Sequence, residues 1–146
     1  LLIDDTLLGI DSFAANYSAK IKVKYSCQKS QVVLCDTAKI EQVLDNLIVN
    51  AIKYSEEPRS VKIVLEDAGT KINISVVDNG FGVPEKDIHR IFERFYRVDK
   101  ARSREAGGSG LGLSIVKHII DRHSESIEVH SEEGVGTTFR FTLTKA

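Results

Sequence analysis

Gly108-Ser109-Gly110-Leu111-Gly112-Leu113 leads straight into Ser114-Ile115-Val116-Lys117-His118-Ile119-Ile120. Three glycines within five positions let the backbone bend tightly and approach a ligand with no Cβ in the way. The helix predicted to follow presents unpaired N–H groups and the positive end of its dipole. That combination suits a phosphate group, although Gly-x-Gly turns also serve loops that hold no ligand. Two neighbours strengthen the phosphate reading: a second glycine element upstream, Asp78-Asn79-Gly80-Phe81-Gly82, and before it a helix rich in asparagine.

That helix has its N-cap at Asp36, and its apolar residues Ile40, Val43, Leu44, Leu47, Ile48 and Ala51 fall at spacings of three and four, one stripe facing a core. Ahead of it, Thr6 to Tyr17 reads as a short helix, Lys20 to Ser26 alternates as a half-buried strand, and Gln31 to Cys35 as a second short strand. Pro58 closes the loop after the long helix, and Val61 to Leu65 and Ile72 to Val77 form a hairpin around Ala68-Gly69-Thr70. Glu85 to Phe95 reads as helical, whereas Asp99 to Gly108 shows little apolar patterning, the mark of a functional or disordered segment. Leu113 to His123 reads as a helix, then Ile127 to His130 and Thr137 to Leu143 as strands joined at Glu132-Glu133-Gly134. The Ser124-Glu125-Ser126 turn between them predicts a left-handed backbone at Glu125, or a rebuilt turn.

Composition bounds the function. The 146 residues are 42% hydrophobic, the size of one domain with one sizeable core. With 20 basic and 21 acidic residues the net charge is −1, which argues neither for a nucleic-acid footprint nor for a membrane-surface protein. Cys27 and Cys35 are too few for a disulfide scaffold and lack metal-ligand spacing, so thiols in a reducing compartment are expected. No apolar run approaches the roughly 20 residues of a membrane-spanning helix, and no signal-peptide pattern opens the chain. It starts at Leu1-Leu2-Ile3, which points to a piece of a longer protein.

Asn46, Asn50 and Lys53 are spaced i, i+4 and i+7, so they line one edge of the long helix beside its apolar stripe. An Asn amide oxygen suits a hard cation such as Mg²⁺ that otherwise keeps waters and phosphate oxygens, and Lys53 is a point charge for phosphate. A solvated face is the alternative, but Asn is a poor helix former, and two of them one turn apart are a costly way to build mere surface.

Taken together, these stretches resemble the ordered boxes of sensor histidine kinases, most closely the phosphate-response and cell-wall-response type. Asn46-Leu47-Ile48-Val49-Asn50-Ala51-Ile52-Lys53-Tyr54-Ser55 is similar to the N box, Asp78 to Gly82 to the G1 box, Ile91-Phe92-Glu93-Arg94-Phe95-Tyr96-Arg97 to the F box and Gly108 to Gly112 to the G2 box. Gly134-Val135-Gly136-Thr137-Thr138-Phe139 is similar to the last glycine element. The resemblance covers nearly the whole chain and implies an α/β (α+β) two-layer sandwich of the Bergerat type, with a mixed, mainly antiparallel sheet and three helices on one face. It implies a single catalytic and ATP-binding domain over residues 1–146, with 1–5 the end of a linker from a dimerisation domain and 83–108 an ATP lid.

The same resemblance implies roles. Asp78 would accept the adenine amino group, with Gly80, Gly82 and Val83 beside it; a plain turn Asp before Asn79-Gly80 is the structural alternative. Asn50 would hold Mg²⁺ across the ATP phosphates with Asn46 in support, and Lys53 and Tyr54 would reach the phosphate and nucleoside region. Gly108, Gly110, Leu111, Gly112 and Leu113 would wrap the triphosphate, and Thr137 would complete the adenine end through water or its hydroxyl. From Arg90 to Arg104 six basic residues face Glu93 and Asp99, a basic lid; Arg94, between Phe92 and Phe95, is the residue expected on the γ-phosphate.

ATP-hydrolysing members of the wider superfamily, gyrase B and the mismatch-repair and chaperone ATPases, carry a Glu base one turn before the metal Asn. Here that residue is Asn46, which cannot take a proton at neutral pH. Phosphoryl transfer needs mostly positioning and charge stabilisation, so this chain is expected to present phosphate to a histidine on a separate dimerisation domain. None of His89, His118, His123 and His130 suits that role; each reads as solvated or at the core edge. The resemblance further implies a homodimeric full-length kinase, membrane-anchored with this part cytoplasmic, and a response regulator as partner. The alternatives are a degenerate, nucleotide-gated interaction module and a gyrase-type ATPase; the intact boxes disfavour the first and Asn46 the second.

Overall fold

The computed structural model describes residues 19–27, 31–55, 58–94 and 112–146. The helix expected at Thr6 to Tyr17, most of the lid and Gly108, Gly110 and Leu111 lie outside these. The elements run β1 (Lys20–Ser26), β2 (Val33–Leu34), α1 (Thr37–Lys53), β3 (Ser60–Ala68), β4 (Lys71–Asp78), a 3-10 turn (Glu85–Arg90), α2 (Gly112–Arg122), β5 (Ile127–Glu132) and β6 (Gly136–Lys145). The sheet is ordered β1-β3-β4-β6-β2, with β5 also on β6; β1 and β3 are parallel and every other pair is antiparallel.

Side chains alternate across a pleated sheet, so registered partners share a face. The rows Val23, Ile63, Val76, Phe139, Val129 and Tyr25, Leu65, Ile74, Phe141, Ile127 therefore line one surface, and the helices cover it. The opposite surface carries Lys20, Lys22, Lys24, Lys62, Arg140 and a run of threonines. In α1 the expected stripe is buried, joined by Ile52. Each such side chain contributes about 1.5–3 kcal/mol on leaving water, which outweighs the weak helix propensity of the asparagines. Asp36 caps the helix as expected, accepting the Lys39 N–H at 3.3 Å.

Three local expectations shift. β2 is only two residues long, because β5 already occupies the same edge of β6 as far as Phe141 and leaves Thr144 and Lys145 for pairing. The segment expected to be helical from Glu85 to Phe95 is not an α-helix over its described residues, which end at Arg94: after Pro84 it closes with three-residue bonds, Asp87 N–H to Pro84 O and Glu93 N–H to Arg90 O. The turn after α2 is left-handed at Ser124 (φ 55°), not at Glu125. Glu125 N–H bonds Ile120 O and Ser124 N–H bonds Asp121 O, a Schellman end with serine where glycine is usual. His123 sits at the core edge and ties the two helices together. Its Nε2 accepts the Asp36 N–H at 3.0 Å and its Nδ1 lies 2.9 Å from Ile119 O, so Nδ1 carries the proton. His89, His118 and His130 are exposed, and both cysteines are free thiols.

That serine turn delivers the Glu125 carboxylate, 3% exposed, onto the far side of the hairpin, where Lys71 Nζ (2.6 Å), Thr144 Oγ1 (2.7 Å) and Thr142 Oγ1 (2.9 Å) donate to it. Burial works to raise its pKa, yet the bonds from Lys71, Thr144 and Thr142 hold it below the ordinary 4.5. Its folded value is depressed, so its stabilisation is present above 4.5 and fades as pH falls through the folded value. Glu125→Gln is expected to cost about 1–3 kcal/mol at pH 7 in denaturant unfolding, with the gap narrowing as pH falls below 4.5.

Candidate functional site

At one end of the sheet the inward rows stop being apolar. β4 runs Ile72, Ile74, Val76 and then Asp78; β5 runs Ile127, Val129 and then Ser131; β6 begins Thr137 before Phe139 and Phe141. Ser131 pairs with Thr137, and Thr137 lies beside Asp78. Three polar side chains thus sit together under the helical layer.

Asp78 is the centre of this group. Its Oδ1 accepts two backbone N–H groups, from Gly80 at 2.8 Å and Thr137 at 3.2 Å, while among the described residues Oδ2 takes no hydrogen bond. Burial pushes the carboxyl up from 3.8 to about 6, and the two N–H donors only partly offset it. An acceptor held rigidly by one oxygen and open at the other is suited to a ligand donor.

Asn46, Asn50, Lys53 and Tyr54 are half-buried along the last turns of α1, beside the buried stripe. Asn46 Nδ2 is buried with no partner among the described residues. An orphaned amide donor costs about 1–3 kcal/mol, the signature of a position that finds its acceptor in a ligand or water. The end of α1 is bolted to the Asp78 turn: Phe81 N–H donates to Tyr54 O at 3.1 Å, Asn79 Nδ2 donates to Pro58 O at 2.7 Å, and Ser60 N–H donates to Asn79 Oδ1 at 3.1 Å. Sequence reasoning passed over Asn79 as a site element.

The glycines of this turn serve protein contacts. A Cβ at Gly80 would strike Tyr54 O and the Asp78 carboxylate; at Gly82 (φ +74°) it would strike the Glu132 backbone. They let the turn nest between α1 and the β5–β6 hairpin. Gly112 differs: a Cβ there meets nothing among the described residues, at the first position of α2, with Leu113 half-buried behind it. Val83 leaves the turn with its N–H on Ser131 Oγ at 2.6 Å. Further on, Phe92 packs edge-on against Phe139 at 6.1 Å, anchoring the chain to the core, and Arg94 is exposed just beyond.

Residues 35–146 match the family described as histidine kinase-, DNA gyrase B-, and HSP90-like ATPase. The chain belongs to this family. Among members, it is 51% identical over 110 residues to sensor histidine kinase WalK of Bacillus subtilis, covering 74% of this chain and 18% of WalK. It is 44% identical over 126 residues to sensor-like histidine kinase SenX3 of Mycobacterium bovis, covering 86% and 31%. The chain therefore spans under a third of the length of these relatives. The fold matches the nucleotide-free catalytic domain of histidine kinase ThkA (TM-score 0.83, 30% identity, 99% of this chain and 90% of that one) and the mycobacterial sensor histidine kinase MprB (0.85, 27%, 99% and 93%). Full-length ShkA, solved with AMPPNP, matches at 0.83 and 28% identity, over 99% of this chain and 30% of that one. The expected α/β architecture is thus the ATPase family's, as seen in histidine kinase catalytic domains, and ATP binding is the family's property.

Proposed function

We propose that this chain binds Mg²⁺-ATP and donates the γ-phosphate to a histidine on a separate dimerisation domain of the same, membrane-anchored kinase, which then passes it to a response regulator. The observation that carries the reading is the neutral amide of Asn46, one turn before Asn50: the site offers no carboxylate base there to activate water. WalK and SenX3 are named as sensor histidine kinases, and ThkA has been solved with the response regulator protein TrrA (TM-score 0.79, 29% identity, 99% of this chain and 40% of that one). No helix among the described residues is long and apolar enough to cross a membrane, so an anchor belongs elsewhere in such a kinase.

In this reading Asp78 Oδ2 accepts the adenine amino group, and the Thr137 hydroxyl completes the base edge. Asn50 supplies an amide oxygen to the metal, Asn46 one turn earlier supports the site by offering its unpartnered Nδ2 to a phosphate oxygen, and Lys53, Tyr54, Arg94 and the α2 start at Gly112 and Leu113 hold the phosphates, together with Gly108, Gly110 and Leu111. The donor set fits Mg²⁺: a neutral amide oxygen from Asn50 suits a hard cation that otherwise keeps waters and phosphate oxygens. When bound, Mg²⁺ would screen the charge that builds on the transferring phosphoryl group.

The test is phosphate transfer from labelled ATP. The chain alone is expected to turn ATP over very slowly, and to label a supplied dimerisation domain at its histidine. Asn46→Glu places a carboxylate where hydrolysing relatives keep one, and a positioned base is worth about 10²–10⁴-fold, of which a fraction should emerge as hydrolysis. Rapid hydrolysis by the unaltered chain would make it an ATPase instead; tight ATP binding without transfer would make it an interaction module.

A further inference from the structure

The hydroxyl network beside Asp78 has fewer protons than acceptors. Val83 N–H donates to Ser131 Oγ at 2.6 Å. The single Ser131 hydroxyl proton has two acceptors in reach, Gly136 O at 3.1 Å and Thr137 Oγ1 at 3.0 Å. If it goes to Gly136 O, the Ser131–Thr137 contact needs the Thr137 proton, and Thr137 is left with lone pairs only. If it goes to Thr137 Oγ1, the Thr137 proton is free for a ligand. Thr137 is buried, and its own N–H donates to Asp78 Oδ1 at 3.2 Å, which keeps the residue beside Asp78.

We propose that Ser131 is a specificity-determining residue of the base pocket, which by donating to Thr137 turns the Thr137 hydroxyl into a donor for a ring-nitrogen acceptor. This rests on the reading of Asp78 as the adenine contact. Asp78 demands a donor on the purine, its exocyclic amino group; Ser131, through Thr137, demands an acceptor at the adjacent ring nitrogen. Adenine alone among the common bases presents that pair on a purine edge. Guanine offers a carbonyl oxygen and a ring N–H there, mismatched at both. Ser131 is thus a positioning residue that touches no ligand atom, and Val83 N–H holds its second lone pair so that the hydroxyl proton points toward Thr137 or Gly136.

Three nucleosides separate the contacts by calorimetry. Adenosine has both groups, 1-deazaadenosine lacks the ring acceptor, and purine riboside lacks the amino group. The unaltered chain is expected to prefer adenosine to 1-deazaadenosine by about tenfold, one well-made hydrogen bond. In Ser131→Ala that preference is expected to fall to about twofold while the preference over purine riboside, which reports Asp78, stays unchanged. Thr137→Val is expected to lose the ring-nitrogen preference by itself, with Ser131→Ala adding nothing further on that background. Should the alanine variant fail to fold, Ser131→Cys keeps the volume with a weak donor and is expected to show an intermediate preference. An undiminished preference in a folded Ser131→Ala or Ser131→Cys chain would overturn the proposal and leave Ser131 a support for the turn. A parent chain indifferent to the amino group would instead overturn the Asp78 reading, while the 1-deazaadenosine comparison still judges Ser131.

Discussion

Asp78→Asn is expected to make the chain more stable at neutral pH while weakening its grip on ATP by ten- to a hundredfold. The amide is nearly isosteric and keeps one oxygen for the Gly80 and Thr137 N–H groups, but it turns a donor toward the adenine amino group where an acceptor is needed. Losing a bond to a charged acceptor costs about 1.5–3 kcal/mol. The gain in stability follows from the carboxyl's raised pKa, about 6 against 3.8. A group raised in the folded state contributes stability that is present below 3.8 and lost as pH rises through about 6. Ionised Asp78 is therefore a burden of about 3 kcal/mol at pH 7, and the uncharged amide escapes much of it. Unfolding midpoints of the two chains should coincide near pH 3.5 and separate through pH 4–6. Adenosine, which has no phosphates to titrate, should bind the parent less well as pH drops through about 6, and the variant without that dependence. Equal ATP affinity in the two chains would remove Asp78 from the site.

Asn50→Ala is expected to abolish the Mg²⁺-dependent part of ATP binding and leave adenosine binding nearly untouched. A half-buried amide on a well-packed helix can be trimmed without disturbing Leu47, Ile48 or Ala51 beside it. In the proposed reading Asn50 would serve a metal at the phosphates and not at the base, so the two ligands should diverge. Calorimetry with and without Mg²⁺ checks this; equal losses for ATP and adenosine would report a damaged fold.

Much of this was legible in one dimension. The α1 stripe from Ile40 to Ala51 and the alternation in β3, β4 and β6 are periodic, and periodicity is what burial writes into a sequence. The end of α1 that carries Asn46, Asn50 and Lys53 is joined to the Asp78–Gly82 turn by the Phe81 N–H on Tyr54 O, whereas Gly108, Gly110 and Leu111 lie outside the described residues. The 3-10 turn at Glu85–Arg90 was not legible, because Ile88, Ile91 and Phe92 suit either helix and only hydrogen bonding to Pro84 decides. What surrounds Gly80 and Gly82 was not legible for a different reason: a missing Cβ is the same letter whether a ligand or a neighbouring piece of backbone fills the space. Ser131 left a trace that could have been found, a polar residue continuing the inward alternation Ile127, Val129, as Asp78 continues Ile72, Ile74, Val76. Where a core-facing row turns polar at the same end of three strands, a site is the simplest account.

β6 joins β4, β5 and β2, and its partners on β2 and β4 stand some sixty to more than a hundred positions earlier in the chain. Closing such distant pairs is slow, because loop entropy is lost before any contact repays it. On a ribosome, everything from Lys20 to Glu132 emerges before the strand that unites the sheet. Thr137, which steadies Asp78, is among the first residues of that strand, so the carboxylate proposed to recognise the nucleotide gains its Thr137 partner only once that strand pairs. In that reading a nascent chain, however helical, has no completed base pocket until then, and ATP would favour only the finished molecule.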